Sequence, residues 1–164
     1  MKAPIRYLLG ALPIFGATLP TVVDANAPDG HYVVTPGTSV YDIKSKLTWQ
    51  QISPSTTYMW ADAKAYCAGL GASLGGVGWR LPTIKELATI VDYSKTPSLV
   101  VSQPNPTIDA NTFPETPSAF CWSSPPLAGT PSKVWFIAFQ NGSAGYSAIT
   151  SAYVGNVRCV RTGL

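Results

Sequence analysis

The order of elements along this chain predicts an α+β domain, and three observations carry the prediction. A β-hairpin pattern comes first, with Val40, Leu47 and Trp49 flanking a turn at Ile43-Lys44-Ser45-Lys46. Two helical stripes follow, Trp60/Ala63/Cys67/Leu70 and Ile84/Leu87/Ala88/Val91, each at helical spacing. The last third alternates like strand. Strands, then helices, then strands describe helices segregated from a sheet rather than repeated βαβ units. Two helices packed on a small, twisted, mainly antiparallel sheet with a long irregular loop region are therefore expected.

The chain opens on Lys2 and Arg6, a largely apolar run from Tyr7 to Val23 broken by Pro13, Gly16 and Pro20, and the small residues Ala25-Asn26-Ala27. This is the pattern of a secretory signal peptide. Cleavage after Ala27 would place Pro28 first, so cleavage after Ala25 is expected. An uncleaved anchor is the alternative, but a continuous span needs about 20 apolar residues, and the two prolines interrupt one. Residues 1–25 are read as signal peptide, 26–37 as an N-terminal segment and 38–164 as one domain. No membrane span is expected after processing.

Within that frame each element has its own signal. His31–Thr35 is a candidate strand, and the hairpin pairs Ser39–Asp42 with Leu47–Gln51. A helix from Met59 to Leu70 takes Thr57 as its N-cap and ends at Gly69 and Gly71. Gly75-Gly76-Val77-Gly78 is a connector. Trp79-Arg80-Leu81-Pro82 is extended, because Pro82 disfavours helix at Leu81. Thr83 and Glu86 form a capping box for a second helix ending near Tyr93. Residues 94–119 hold Pro97, Pro104, Pro106, Pro114 and Pro117 and read as an ordered long loop, a feature that is often functional. Phe120–Ser123, Lys133–Phe139 and Tyr153–Arg161 are the remaining strands. The middle one is apolar on both faces, as a central strand is. Asn141-Gly142 is a turn signal.

Composition narrows the function classes. The 164 residues are 46% hydrophobic and 12% charged, against about 25% charge in an average domain. The chain is packed rather than disordered, with a surface of Ser, Thr, Asn, Gly and Pro. Loss of Lys2, Arg6 and Asp24 with the leader turns eleven bases into nine and eight acids into seven, a net charge of +2. With no Lys/Arg run, nucleic-acid binding is not expected. Three cysteines, Cys67, Cys121 and Cys159, form no C-x-x-C, and the single histidine, His31, has no ligand-type neighbour, so no zinc site is expected. A Ser/His/Asp set is equally lacking.

Val40-x-Asp42-x-Lys44-Ser45-x-Leu47-Thr48-Trp49-Gln50, Trp60-Ala61-Asp62-Ala63 with Tyr66-Cys67, and the ten contiguous residues Gly78 to Leu87 carry a resemblance. Ile108-Asp109, Phe113-Pro114, Trp122-Ser123-Ser124 and Val157 to Arg161 follow in the same order. Over residues 38–161 the chain resembles the Lcl C-terminal-type domains, the DUF1566 group. The resemblance implies a C-type-lectin-like fold, related to that of formylglycine-generating enzymes, and a bacterial surface or secreted setting. Some relatives are adhesins for sulfated polysaccharide and others are variable display proteins. It also implies a first-helix to last-strand disulfide, Cys67–Cys159. The bond would close a loop of some 90 residues, worth about 4–5 kcal/mol in the chain-entropy model. Cys121 is then the free thiol, either a buried small hydrophobe or the donor of an intermolecular bridge.

Each candidate site has a structural reading beside the functional one. Trp79, Arg80, Leu81, Pro82, Thr83 and Glu86 are expected to be a structural motif, with Arg80 paired to Glu86. Trp49, Trp60, Trp122 and Trp135 are expected to be packing. Gln103-Pro104-Asn105 is similar to a lectin calcium and sugar tripeptide, but Asp109 and Glu115 are the only acids near it, few for a site built from several oxygen ligands. No cofactor is expected, with calcium the one possibility kept open. The formylglycine-generating relatives use a cysteine pair near the C-terminus, where this chain has Cys159 alone. Asn141, Ser143, Tyr146, Ser147, Tyr153 and Asn156 form a polar, aromatic cluster with the chemistry of adaptable recognition surfaces. The function expected is an exported, adhesin-like, non-catalytic recognition module for a glycan or protein ligand at the cell surface. A structural subunit of a surface assembly is the alternative, and an enzyme of the formylglycine-generating-like fold the third.

Overall fold

A computed structural model describes residues 30–95, 105–150 and 153–164. The signal segment, residues 26–29 and the Gln103-Pro104 pair lie outside the described residues. The architecture is α+β, with two small antiparallel sheets where a single sheet was expected.

The first sheet is the N-terminal meander plus the chain's last strand. β1 (Tyr32–Thr35), β2 (Ser39–Asp42), β3 (Leu47–Gln50) and a closing strand at Val160–Thr162 lie in the order first, second, third, last. The β2–β3 turn is set by Asp42. Its carboxylate accepts from the amides of Lys44 (2.8 Å) and Ser45 (3.2 Å) and from the Ser45 hydroxyl (2.7 Å), while Lys46 sits at φ 60°. A side-chain-capped turn of this kind needs no Asn-Gly pair.

The helices are shorter than the apolar stripes suggest. α1 spans Trp60–Gly69, with Met59 at its N-cap and no side-chain cap. Thr57 misses that position because the next residue, Tyr58, is held extended, exchanging backbone hydrogen bonds with Gly155 at 2.9 Å each way. Ala63, Cys67 and Leu70 are buried as the stripe requires. Gly71 does not end the helical path but opens a further turn, α2 (Gly71–Leu74). Glycine is needed there, since a Cβ would lie 2.5 Å from the Gly76 carbonyl oxygen. α3 (Ile84–Thr89) begins with the capping box in full and stops short of Tyr93. The Asp92 amide turns instead to the Thr107 carbonyl in the long loop (2.9 Å). That loop is tied to the core by Thr107, Ile108 and Phe113, all buried.

The second sheet is the meander β4 (Phe120–Leu127), β5 (Thr130–Ala138) and β6 (Ser143–Ala148), in that order. β4 runs past Ser123 through Pro125 and Pro126, which an edge strand tolerates because only one side is hydrogen-bonded. β6 was not expected. Conversely, the strand anticipated over Tyr153–Arg161 contracts to β7 (Val160–Thr162), preceded by single bridges at Gly155 and Asn156.

β5 is central and buries both faces, which splits the core in two. Ile137 and Phe139 join Val40, Trp49, Leu87, Phe113 and Cys121 on one side. Val134 joins Ala63, Trp79, Trp122 and Val157 on the other, with Phe136 packed against them. The Cys67–Cys159 disulfide lies in this second cluster and ties α1 to the residue preceding β7, with a Cα–Cα distance of 5.4 Å and a sequence separation of 92.

Candidate functional site

The β5–β6 hairpin is the element that brings the candidate residues together. Its Asn141-Gly142 turn docks on the end of the α3 region. Gly142 has φ 74°, and a Cβ there would fall 2.9 Å from Val91 and 3.0 Å from the Tyr93 ring. The Asn141 side-chain oxygen accepts from the Ser143 amide (3.0 Å) and hydroxyl (2.8 Å), closing the turn.

From that turn the antiparallel register places Tyr146 directly opposite Trp135. Their rings meet edge to face at 5.9 Å, and the Lys133 ammonium lies 4.8 Å from the Tyr146 ring centroid. Tyr146 is 53% exposed, and Trp135 is half-buried. The other tryptophans are spent on the fold. Trp60, Trp79 and Trp122 donate their indole N–H to the carbonyls of Ser123, Gly75 and Tyr58, each at 2.8 Å, and Trp49 is fully buried. The Trp49 N–H, sealed in the core, has no acceptor among the described residues, and that of Trp135 has none either, but Trp135 is half-buried and its N–H is not enclosed. The hairpin therefore presents two aromatic rings, an ammonium, a phenol and an indole N–H on one face. That combination packs apolar surface and donates hydrogen bonds at the same place.

The six residues singled out from the sequence do not form one cluster. Tyr146 is on this face. Ser143 and Ser147 alternate to the opposite face of β6, and the Asn141 oxygen is engaged in its own turn. Tyr153 is 51% exposed, beyond the end of β6. Asn156 is corrected outright: it is buried, with its amide donating to the Phe120 carbonyl at 3.1 Å. Lys133 and Trp135 were missed as site residues. Placing a strand after Asn141-Gly142 and counting back across the turn would have paired Trp135 with Tyr146.

The remaining candidates are structural. Arg80 grips Glu86 with two hydrogen bonds, 2.9 and 2.7 Å, and Glu86 also accepts from the Thr83 amide at 2.7 Å. The Arg80 fork holds the Glu86 carboxyl below its ordinary value, and Glu86 raises Arg80 in turn. Trp79, Leu81 and Pro82 are buried. Cys121 is buried, and burial pushes its thiol up to about 11, partly offset by the neighbouring Arg158. An intermolecular bridge from Cys121 would require opening the core. In the long loop, the Asp109 carboxylate is taken up by the Asn111 amide (3.0 Å) and the Thr112 hydroxyl (2.7 Å). Among the described residues, no three His, Cys, Asp or Glu side chains gather.

Fold and site together define a small α+β domain of two antiparallel sheets, stapled by one disulfide, that presents a donor-rich aromatic face on an edge hairpin. Residues 38–161 match the Lcl C-terminal domain family, and the chain belongs to that family. No curated protein matches it.

Proposed function

We propose that this chain is an exported, non-catalytic recognition module of C-type-lectin-like fold that binds a glycan or protein ligand at the cell surface through Trp135, Tyr146 and Lys133. The observation that carries the reading is Trp135, whose indole N–H is left over when those of Trp60, Trp79 and Trp122 are used internally. Trp and Tyr are the side chains that dominate binding energy at recognition surfaces, and stacked rings beside hydrogen-bond donors suit the apolar faces and hydroxyls of sugars.

Supporting features accompany it. The Cys67–Cys159 disulfide, from α1 to the residue before β7, is the pairing that the resemblance to lectin-like folds implies, and a buried disulfide suits an oxidising compartment. No described helix is long and apolar enough to cross a membrane. His31, the chain's single histidine, is engaged with Asp42 at 3.2 Å in the first sheet, away from the aromatic face. No cofactor and no nucleic acid enter this reading. The structural-subunit alternative rested on the free Cys121 and on the low charge, and the burial of the Cys121 thiol removes the first of these two motives.

The test is an array of glycans and surface proteins probed with the disulfide-intact domain and its Trp135→Ala variant. Binding that weakens tenfold or more in the variant supports the reading. Ligands retained equally by both proteins would place recognition elsewhere.

A further inference from the structure

Sheet edges are open rows of backbone N–H and C=O groups, and proteins blunt them with short strands, proline, charge, bulges or a covering element. Among the described residues, the edges follow that practice except at β6. β1 has four residues and runs into Pro36. β7 has three, carries Arg161 and is bridged to Arg80 through Val160. The outer side of β4 is taken by Asn156, whose amide donates to the Phe120 carbonyl (3.1 Å) and whose carbonyl accepts from the Trp122 amide (3.0 Å). β6 (Ser143–Ala148) is longer than β1 and β7, holds no proline and no charge, and pairs with β5 in an unbroken register without a bulge.

The free groups of β6 follow from its ladder. Ile149 donates its amide to the Ser132 carbonyl (3.0 Å). Hydrogen-bonded pairs alternate along an antiparallel ladder, so Ser147, Gly145 and Ser143 turn their backbone groups to β5. Those of Ala144, Tyr146 and Ala148 point outward, and none has a partner among the described residues. These three residues are symmetric about Tyr146. A second β6 laid antiparallel with Tyr146 opposite Tyr146 sets Ala144 opposite Ala148, and every outward N–H meets an outward C=O. No side chain on the strand is charged, so the match meets no like-charge repulsion. A foreign strand would be held by backbone alone, because the Ser, Ala and Gly around Tyr146 offer none of the side-chain pockets that give strand addition its specificity. A second copy brings its own Tyr146 and completes a cross-strand aromatic pair. The same register sets Ile149 of each copy opposite Ser143 of the other, beside the Gly142 turn where Tyr93 is 72% exposed.

We propose that β6 is a self-association edge: two copies pair their β6 strands antiparallel about Tyr146 and join their three-stranded sheets into one. Six residues of edge are far fewer than the about 20–30 a side of a standard interface, so the dimer is weak, forming at micromolar concentration or above. Trp135 and Tyr146 of one copy then continue into Tyr146 and Trp135 of the other, and the second copy contributes half of the aromatic row. A ligand long enough to touch both halves tightens the dimer. That consequence rests on the recognition reading above, whereas the pairing itself needs no ligand.

Sedimentation velocity of the ligand-free, disulfide-intact protein from low micromolar to millimolar concentration tests it, with amide hydrogen exchange at both ends of the range. The expected result is a concentration-dependent dimer in which the Ala144, Tyr146 and Ala148 amides become protected, while those of Gly145 and Ser147, bonded to β5, are protected throughout. Ala144→Pro removes an outward N–H and no bond to β5, and Ala144→Lys puts a charge on the edge. Each should weaken association tenfold or more, with thermal melting at low concentration as the check on folding; if proline disturbs the strand, lysine still carries the test. Trp135→Ala, one strand in from the seam, should associate as wild type does. A protein that stays monomeric at millimolar concentration, a dimer that both Ala144 variants leave intact, or protection that appears on β1 instead overturns the pairing. Trp135-dependent ligand binding by a protein that never dimerises overturns it too and leaves the aromatic face standing. A dimer sensitive to Ala144, with no ligand that depends on Trp135, supports the pairing and sinks the recognition reading instead.

Discussion

Trp135 of β5 and Tyr146 of β6 are direct cross-strand partners whose ring planes meet at 86°. A cross-strand aromatic pair contributes about 0.2–1 kcal/mol to a sheet, so its loss costs the fold little. Tyr146→Ala is expected to lower stability by about 1 kcal/mol or less while ligand affinity falls tenfold or more. Melting and binding measured on the same sample check both halves. A variant that melts far earlier than wild type would make Tyr146 a structural residue.

The disulfide carries a larger share of stability. Cys67 and Cys159 are fully buried and close a loop of 92 residues, for which chain entropy gives about 4–5 kcal/mol. Replacing both by serine is expected to remove about that much or to prevent folding at 37 °C. Denaturant unfolding of the double variant measures it, and an unchanged midpoint would contradict it.

Arg158 is a buried cation without a carboxylate partner among the described residues. It donates to the carbonyls of Gln50 and Gln51 and to the Thr116 hydroxyl (2.7 Å), joining the end of β3 to the long loop, and lies 4.9 Å from the Phe113 ring centroid. Burial pulls its pKa down to about 10, which leaves it charged at neutral pH. A buried acceptor deprived of its donor costs about 1–3 kcal/mol. Arg158→Met is therefore expected to cost several kcal/mol by denaturant unfolding, despite the apolar replacement.

Glu86 gives the fold an acid-sensitive contribution. Its carboxyl is lowered from the ordinary 4.5, first by Arg80, against the opposing effect of burial. A depressed acid contributes its stability above the unfolded value and loses it as pH falls through the folded one. Unfolding at pH 7, 5 and 3 should show Glu86→Gln less stable by about 1 kcal/mol at pH 7. The gap should narrow as the pH falls from 7 to 3. A gap that is the same at all three pH values would exclude the carboxylate as its source.

What was legible in the sequence is what local rules decide. Val40 and Trp49 face each other because strand alternation and turn length fix the register. Thr83 and Glu86 cap α3 because the motif satisfies its own donors. What escaped depends on partners distant in the chain. Ser143–Ala148 is rich in small residues of low strand propensity and becomes a strand only by pairing with β5. Gly145 suits it, because a Cβ there would lie 2.5 Å from the Phe136 ring. Asn156 is polar and reads as surface in the sequence, yet its amide donates to the Phe120 carbonyl. Trp135 alternates within an apolar run, a pattern that reads as packing. It is half-buried where it pairs with the exposed Tyr146 of β6.

The most direct measurement is amide chemical-shift mapping by NMR as the strongest array ligand is titrated into the isotopically labelled, disulfide-intact domain. Recognition through the hairpin predicts perturbations centred on residues 133–135 and 144–147, together with the Trp135 indole resonance. Shifts confined to the first sheet or to α1, with the Trp135 indole signal unmoved, would contradict it.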